Sequence, residues 1–171
     1  MTKKLIASAI IALGFASEVN AQATASASIT ATIVTPISIR KTVDMNFGNA
    51  AVQVATGGTV VLTPAGTRTK TAGVTLPAVT GTVTAASFTV DGQANYTYAI
   101  TLPATDITLT HTNAVDEMIV NTFTSTPATT GALDATGTQE LNVGATLNVA
   151  ANQLAGLYAT GTNFDVTVNY N

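Results

Sequence analysis

The residue types that carry most enzyme chemistry are scarce in this sequence. It contains one histidine, His111, and no cysteine. A cysteine nucleophile is therefore absent, and a conventional zinc site, which needs three or four His, Cys or carboxylate ligands, is disfavoured. No serine stands in a Gly-x-Ser-x-Gly elbow either, the turn that exposes a nucleophilic serine above a sheet. Because His111 lies in a polar stretch of Thr and Asn, we interpret it as an exposed loop residue rather than a catalytic base.

Carboxylates are also few, and they are scattered. The only adjacent pair is Asp116-Glu117, directly before a strand-like segment, and we interpret it as a solvated loop pair. Paired glycosidase carboxylates come from distant positions, so the sequence alone leaves such a pair open. No Asp-x-Asp-x-Asp-Gly calcium loop is present. Gly57-Gly58 precedes a strand-like segment rather than a helix whose N-terminus could hold phosphate. We expect a protein that is not an enzyme, with no catalytic residue, metal or cofactor.

One modification motif occurs in the sequence. Asn95-Tyr96-Thr97 matches the N-glycosylation sequon. The motif is short enough to arise by chance and stands at the start of a predicted strand. Asn95 is therefore a weak candidate for glycosylation.

The first 21 residues have the three parts of a secretory signal peptide in the expected order. Lys3 and Lys4 are followed by an apolar run over residues 5–16. That run is shorter than the roughly 20 residues that span a bilayer. Val19 and Ala21 occupy the positions that signal peptidase reads before a cut at Gln22. We predict removal of residues 1–21 and export of a chain with no transmembrane segment.

The composition of the remaining chain limits its partners. Residues 22–171 carry four basic and eight acidic side chains, a net charge of −4. Binding to a nucleic-acid backbone needs a concentrated set of Lys and Arg, so we expect no nucleic-acid partner. Without cysteine, an exported chain of this kind depends on packing and strand pairing rather than on disulfides.

The elements that would position any site are predicted to be strands. Period-two alternation, which places every second side chain on one face of a strand, recurs along the chain. Gly144 interrupts one alternating run, which predicts a bulge or a close backbone approach, and Asp91-Gly92 predicts a hairpin turn. Short strands separated by turn residues predict an all-β sandwich. The predicted strands cover residues 59–63, 81–90, 96–102, 107–109, 118–124, 141–149 and 164–171.

Residues 23–33 form an alternating segment without an evident partner. At about 3.3 Å per residue its eleven residues could extend roughly 36 Å. One face is mostly alanine and the other is Thr and Ser. The segment could pair within its own domain or be donated to another chain, and its composition alone does not decide between them. The predicted inward face consists of Ala23, Ala25, Ala27, Ile29, Ala31 and Ile33.

The C-terminal segment resembles a known kind of strand. Residues 166–171, Val-Thr-Val-Asn-Tyr-Asn, are similar to the terminal strand of chaperone-usher pilins, which alternates and carries a penultimate tyrosine. Most of the exported chain also resembles a domain-of-unknown-function family of small secreted bacterial proteins with pilin-like sandwich architecture. The matching pieces are Ile33-Val34-Thr35-Pro36-Ile37, Asn46-Phe47-Gly48, Phe88-Thr89-Val90-Asp91-Gly92, Tyr96 to Leu102, Val143-Gly144-Ala145-Thr146-Leu147, Gly156-Leu157-Tyr158 and the residues 166–171.

The resemblance implies a fold, a site and partners. The expected fold is an immunoglobulin-like, pilin-like sandwich at residues 36–171 that lacks one strand, preceded by a donor extension at residues 22–35. The implied groove is bordered by Phe164, Val166, Val168 and Tyr170 and receives the extension of a neighbour. The implied partners are copies of this chain in a filament at the bacterial cell surface, with an assembly chaperone and an outer-membrane usher.

Two features depart from typical pilins. The chain has no disulfide, and no glycine interrupts residues 23–33. The alternative function is a monomeric secreted β-sandwich that completes itself with its own N-terminal strand and serves as a binding or adhesion module.

Overall fold

The computed structural model describes residues 22–171; the predicted signal peptide at residues 1–21 lies outside them. Within that range there are strands and no helix, and so no helix long and apolar enough to cross a membrane. The strands are β1 (Ser38–Val43), β2 (Ala51–Val52), β3 (Gly58–Leu62), β4 (Arg68–Lys70), β5 (Val74–Thr75), β6 (Ala86–Asp91), β7 (Thr97–Thr101), β8 (Ile107–His111), β9 (Glu117–Thr126), β10 (Thr130–Ala132), β11 (Thr138–Val149), β12 (Tyr158–Thr160) and β13 (Thr167–Tyr170).

The strands form antiparallel sheets that pack as a sandwich, which confirms the predicted all-β class. The larger sheet has the order β1-β6-β11-β9-β8-β12. β11 is long enough to pair on one side with β6 through its first half and with β3 through its second half. The opposite layer consists of a three-stranded sheet, β10-β7-β13, and the short pair β2-β5.

β11 sets the length of the domain. Its twelve residues span roughly 40 Å at about 3.3 Å per residue. We call the end where Thr138 pairs with Asp91 the upper end of the domain, and the end where Val149 pairs with Gly58 the lower end. The turn between β8 and β9 lies at the lower end, because β8 and β9 pair with each other beside the second half of β11.

The predicted irregularity at Gly144 is confirmed. The register between β11 and β9 shifts between Gly144 and Thr146. A Cβ atom at position 144 would lie 2.2 Å from the carbonyl oxygen of Leu62, which is closer than any side chain can come. Glycine is therefore required where β3 approaches β11.

The predicted hairpin at Asp91-Gly92 is wrong. β6 ends at Asp91, but both of its edges are taken by β1 and β11, and the next strand, β7, belongs to the opposite sheet. The amide of Gly92 instead donates to the carbonyl of Gly137, 2.8 Å away. The turn therefore carries the chain from one sheet to the other at the upper end and places Tyr98 in the core, fully buried.

Two apolar clusters fill the space between the layers. The upper cluster is built around Tyr98, Leu141 and Val90, and the lower cluster around Val60, Val74 and Leu147. The three-stranded sheet covers the upper cluster. The lower cluster has only the β2-β5 pair and its flanking loops opposite it, which leaves part of its apolar surface without a covering strand.

Candidate functional site

An open groove of about 1290 Å³ lies between the layers. It exceeds the roughly 300–1,000 Å³ of small-molecule pockets and has the scale expected of a peptide site. Its floor is apolar and comes from inward-pointing residues of the larger sheet. These floor residues are Ala86, Phe88, Ile107, Leu109, Met118, Val120, Phe123, Leu147 and Val149.

One lip of the groove is the segment that follows β1. Met45 and Phe47 line the groove, and the chain there is fixed by a bridge between Asn46 and Thr84. The guanidinium of Arg68 donates to the carbonyl of Phe47 and, over 2.9 Å, to that of Asn49. The Arg68 side chain thus holds this irregular backbone in place, so the lip is ordered.

Gly48 is required in the same lip. Its φ is +66°, and a Cβ there would lie 2.3 Å from the carbonyl oxygen of Thr80. The left-handed conformation and the close approach both favour glycine. This explains the Asn46-Phe47-Gly48 motif, which turns the chain so that Phe47 faces the groove.

The other lip is the segment that leads into β13. Phe164 and Val166 line the groove, and the ring of Phe164 packs edge-on against Phe88 and at 5.2 Å from Phe123. β13 is the last strand of the three-stranded sheet, and on its other side it pairs with no strand among residues 22–171. A strand added here would lie over the apolar floor and hydrogen-bond to a backbone edge that is otherwise open.

The four C-terminal residues predicted to border the groove therefore fall into two groups. Phe164 and Val166 line it. Val168 is instead buried in the upper cluster, and Tyr170 is half-buried at the upper end. The predicted alternation is present, but the groove lies beside the beginning of this strand and not along all of it.

Tyr170 fixes the start of the domain at the upper end. Its hydroxyl accepts from the amide of Gln93 over 2.6 Å and donates to the carbonyl of Thr35 over 2.7 Å. The side-chain oxygen of Gln93 accepts from the amide of Thr35 at 3.2 Å. The ring of Tyr96 packs edge-on against that of Tyr170, with centroids 5.6 Å apart. These contacts hold Thr35 in place at the upper end, so the segment before it begins from a defined position.

Residues 22–33 form no strand, and every one of them is exposed. All six residues of the predicted inward face share this exposure, including Ile29 at 96% and Ile33 at 92%. Two large β-branched side chains at such exposure leave an apolar face unburied.

Other polar candidates lie away from the groove floor. The prediction that His111 is an exposed loop residue is wrong, because it is the last residue of β8 and is half-buried. Its ring packs at a tilt against Tyr158, with centroids 4.8 Å apart, and its Nε2 lies 3.3 Å from the carbonyl of Ala155. Asp116 accepts from the side chain of Asn113 within the same turn, while Glu117 is exposed. Residues 22–171 contain no group of three or more His, Cys, Asp or Glu placed to hold a metal.

The candidate glycosylation residue is accessible. Asn95 is exposed, has a φ of +63° and donates its amide to the carbonyl of Asp134 in a turn at the upper end. The neighbouring carboxyl of Asp134 receives hydrogen bonds from Thr136 and Thr138, chiefly from the Thr136 hydroxyl, and these lower its pKa. They order the turn without creating a ligand site.

Burial has a separate effect on the core tyrosine. It raises the pKa of the Tyr98 hydroxyl, which donates to the side-chain oxygen of Gln139 over 2.8 Å. This group is structural, since it is enclosed in the upper cluster away from the groove.

Several groove residues were not predicted to belong to a site. Met118 and Phe123 belong to the predicted strand at residues 118–124, and Arg68 is one of the four basic residues of the exported chain. The alternation of β9 could have indicated which of its side chains face inward. Nothing in the sequence indicates that Arg68 reaches the backbone of the first lip, because that contact depends on how β3 and β4 pair beside it.

Comparison with known families gives one match. Residues 37–170 match DUF4402, described as a domain of unknown function, which agrees with the resemblance to a domain-of-unknown-function family. No curated protein and no solved structure matches the chain.

Proposed function

The chain belongs to the DUF4402 family, and we propose that it is a structural subunit of an extracellular, pilus-like filament. In this proposal, residues 23–33 of each subunit insert into the groove of a neighbour and complete its sandwich. Repetition of this one contact builds the filament, and the subunit performs no chemistry on small molecules.

One observation supports the proposal most strongly. The same chain contains a groove with an apolar floor beside an open strand edge and an exposed alternating segment that itself forms no strand. Each feature is a liability alone, because open edges and exposed apolar faces promote aggregation. Together they are complementary: the groove lacks a strand, and the segment lacks a sheet.

The chemistry of the segment suits insertion between two layers. No residue from 22 to 39 is charged, so burial of this stretch leaves no unpaired charge in an apolar space. Its alanine face is small, and backbone hydrogen bonds to the open edge supply affinity. Ile29 and Ile33 are the only large side chains on that face, and they fix the register.

The expected location and assembly factors follow from the same proposal. The basic pair and apolar run within residues 1–21 support export, and residues 164–171 support handling by an assembly chaperone and an outer-membrane usher. Such factors would protect the groove until a neighbouring extension fills it. Copies of this chain are the principal partner.

Deletion of residues 22–34 tests the proposal. The exported chain should polymerise at micromolar concentration, and the deleted chain should remain monomeric while gaining thermal stability from a synthetic peptide of residues 22–34. The same peptide with Ile29→Asp is the matched control and should not stabilise it, because insertion would bury an unpaired carboxylate. Normal polymers from the deleted chain would refute the proposal. A stable full-length monomer in which residues 23–33 are protected from hydrogen exchange would favour the self-completed module.

A further inference from the structure

We propose that an exposed apolar patch at the lower end of the domain receives the upper end of the next copy in the filament. We call it the lower patch; it consists of Val115, Leu154 and Leu157. The proposal rests on strand donation and adds a second contact, made by the folded domains themselves.

The three residues belong to two segments joined by hydrogen bonds. Their exposed fractions are 79% for Val115, 47% for Leu154 and 69% for Leu157. The amide of Thr112, in the turn that contains Val115, donates to the carbonyl of Leu157 over 3.2 Å. The hydroxyl of Tyr158 donates to the carbonyl of Leu154 over 2.8 Å. The patch is therefore built on an ordered surface.

The lower patch is continuous with the groove. Leu154 and Leu157 line the lower end of the groove as well as being exposed. A strand lying in the groove would enter or leave at these residues. Leu154 and Leu157 are therefore available both to an inserted strand and to the domain that donates it.

The direction of the inserted strand decides which end of the donor arrives there. β13 runs toward the upper end, where Tyr170 holds Thr35. A segment inserted parallel to β13 would bring Ile33, and with it the donor's upper end, to the acceptor's upper end. Such a contact could be made reciprocally and would close as a dimer. An antiparallel segment brings the donor's upper end to the acceptor's lower end, which repeats without closing, as a filament requires.

The short connection forces the two domains together. Only Val34 separates Ile33 from Thr35, and a chain extends by at most about 3.6 Å per residue. With Ile33 bound at the lower end of the groove, Thr35 of the donor can lie no more than roughly 7 Å away. Thr35 is fixed beside Gln93 and Tyr170, so the donor's upper end meets the lower patch.

The upper end offers a suitable surface. Tyr96 is 44% exposed there, held edge-on against Tyr170. A partly exposed, ordered aromatic ring beside exposed leucine and valine gives apolar burial at little cost in side-chain entropy.

Substitution of the lower patch separates this proposal from strand donation. In the exported full-length chain, Val115→Ser, at the lower-patch residue that does not line the groove, should raise the critical concentration for polymerisation about fivefold. Val79→Ser is the matched control: Val79 is 76% exposed but lies in another loop and does not line the groove. Binding of a labelled peptide of residues 22–34 to the same chains should change by less than about twofold. Unchanged polymerisation of the Val115→Ser chain would overturn the lower patch, whereas failure of the wild-type chain to bind the peptide would overturn strand donation.

Cross-linking gives a second readout in a chain without native cysteine. Ala135 is exposed in the turn at the upper end. Polymers carrying both Ala135→Cys and Leu157→Cys should be joined between copies by a short bis-maleimide. Polymers carrying Ala135→Cys alone should not. Efficient joining through Ala135→Cys alone would show that upper ends meet and would overturn the proposal.

Discussion

Ile29 should be one of the two large anchors of the donated segment, the other being Ile33. Ile29 is 96% exposed in the unassembled chain, so almost its whole side chain remains to be buried. Ile29→Ala removes three carbon groups at about 0.8 kcal/mol each. The expected loss of binding free energy is about 2.4 kcal/mol, which corresponds to a roughly 60-fold larger dissociation constant.

The assay is fluorescence polarisation with a labelled peptide of residues 22–34 and the exported chain at concentrations below its assembly threshold. The matched control is Thr30→Ala in the same peptide. Thr30 neighbours Ile29 in sequence but lies on the opposite face of the strand, so its truncation should change affinity by less than about threefold. Equal losses for the two variants would refute the predicted facing. No loss for Ile29→Ala would refute burial of this residue altogether.

Three further predictions concern the domain itself. Tyr170→Phe removes the hydroxyl that joins Gln93 to the chain at Thr35. It should lower the free energy of unfolding in urea by about 2 kcal/mol, whereas Tyr96→Phe should leave it nearly unchanged. Leu141→Ala, at a fully buried position, should cost about 2–5 kcal/mol in the same assay, and an unchanged midpoint would contradict the assigned core. The lowered pKa of Asp134 predicts a stability contribution that is present above pH 3.8 and lost as pH falls through the lower folded-state pKa. Carbon-13 NMR should show the Asp134 carboxyl titrating below pH 3.8, and a midpoint at or above 3.8 would contradict this.

The sequence predicted the fold class because local rules determine it. Alternation over β11 and β13 and the glycine at position 144 were sufficient to predict strands and a bulge. These features depend on neighbours along the chain or on the one strand directly beside it. Strand pairing across the domain is harder to predict from the sequence. Asp91-Gly92 does lie at a turn, but the predicted hairpin is wrong because both edges of β6 are already occupied.

The site was predicted only in part for a related reason. Phe164 and Val166 were assigned to the border of a groove, and they line it. The first lip was not predicted, since it depends on Arg68 reaching the backbone at Phe47 and Asn49 from a distant strand pair. Alternation identifies which side chains share a face, but the extent of a gap between layers depends on which strands fail to cover it.

The most direct measurement of the central claim is a cryo-electron microscopy reconstruction of polymers grown from the exported chain. We predict a strand formed by residues 23–33 of one copy, lying in the groove of the next copy beside Phe164 and Val166, with Ile29 over the floor. Polymers whose grooves are empty, or copies in which residues 23–33 fill the groove of their own domain, would contradict the account.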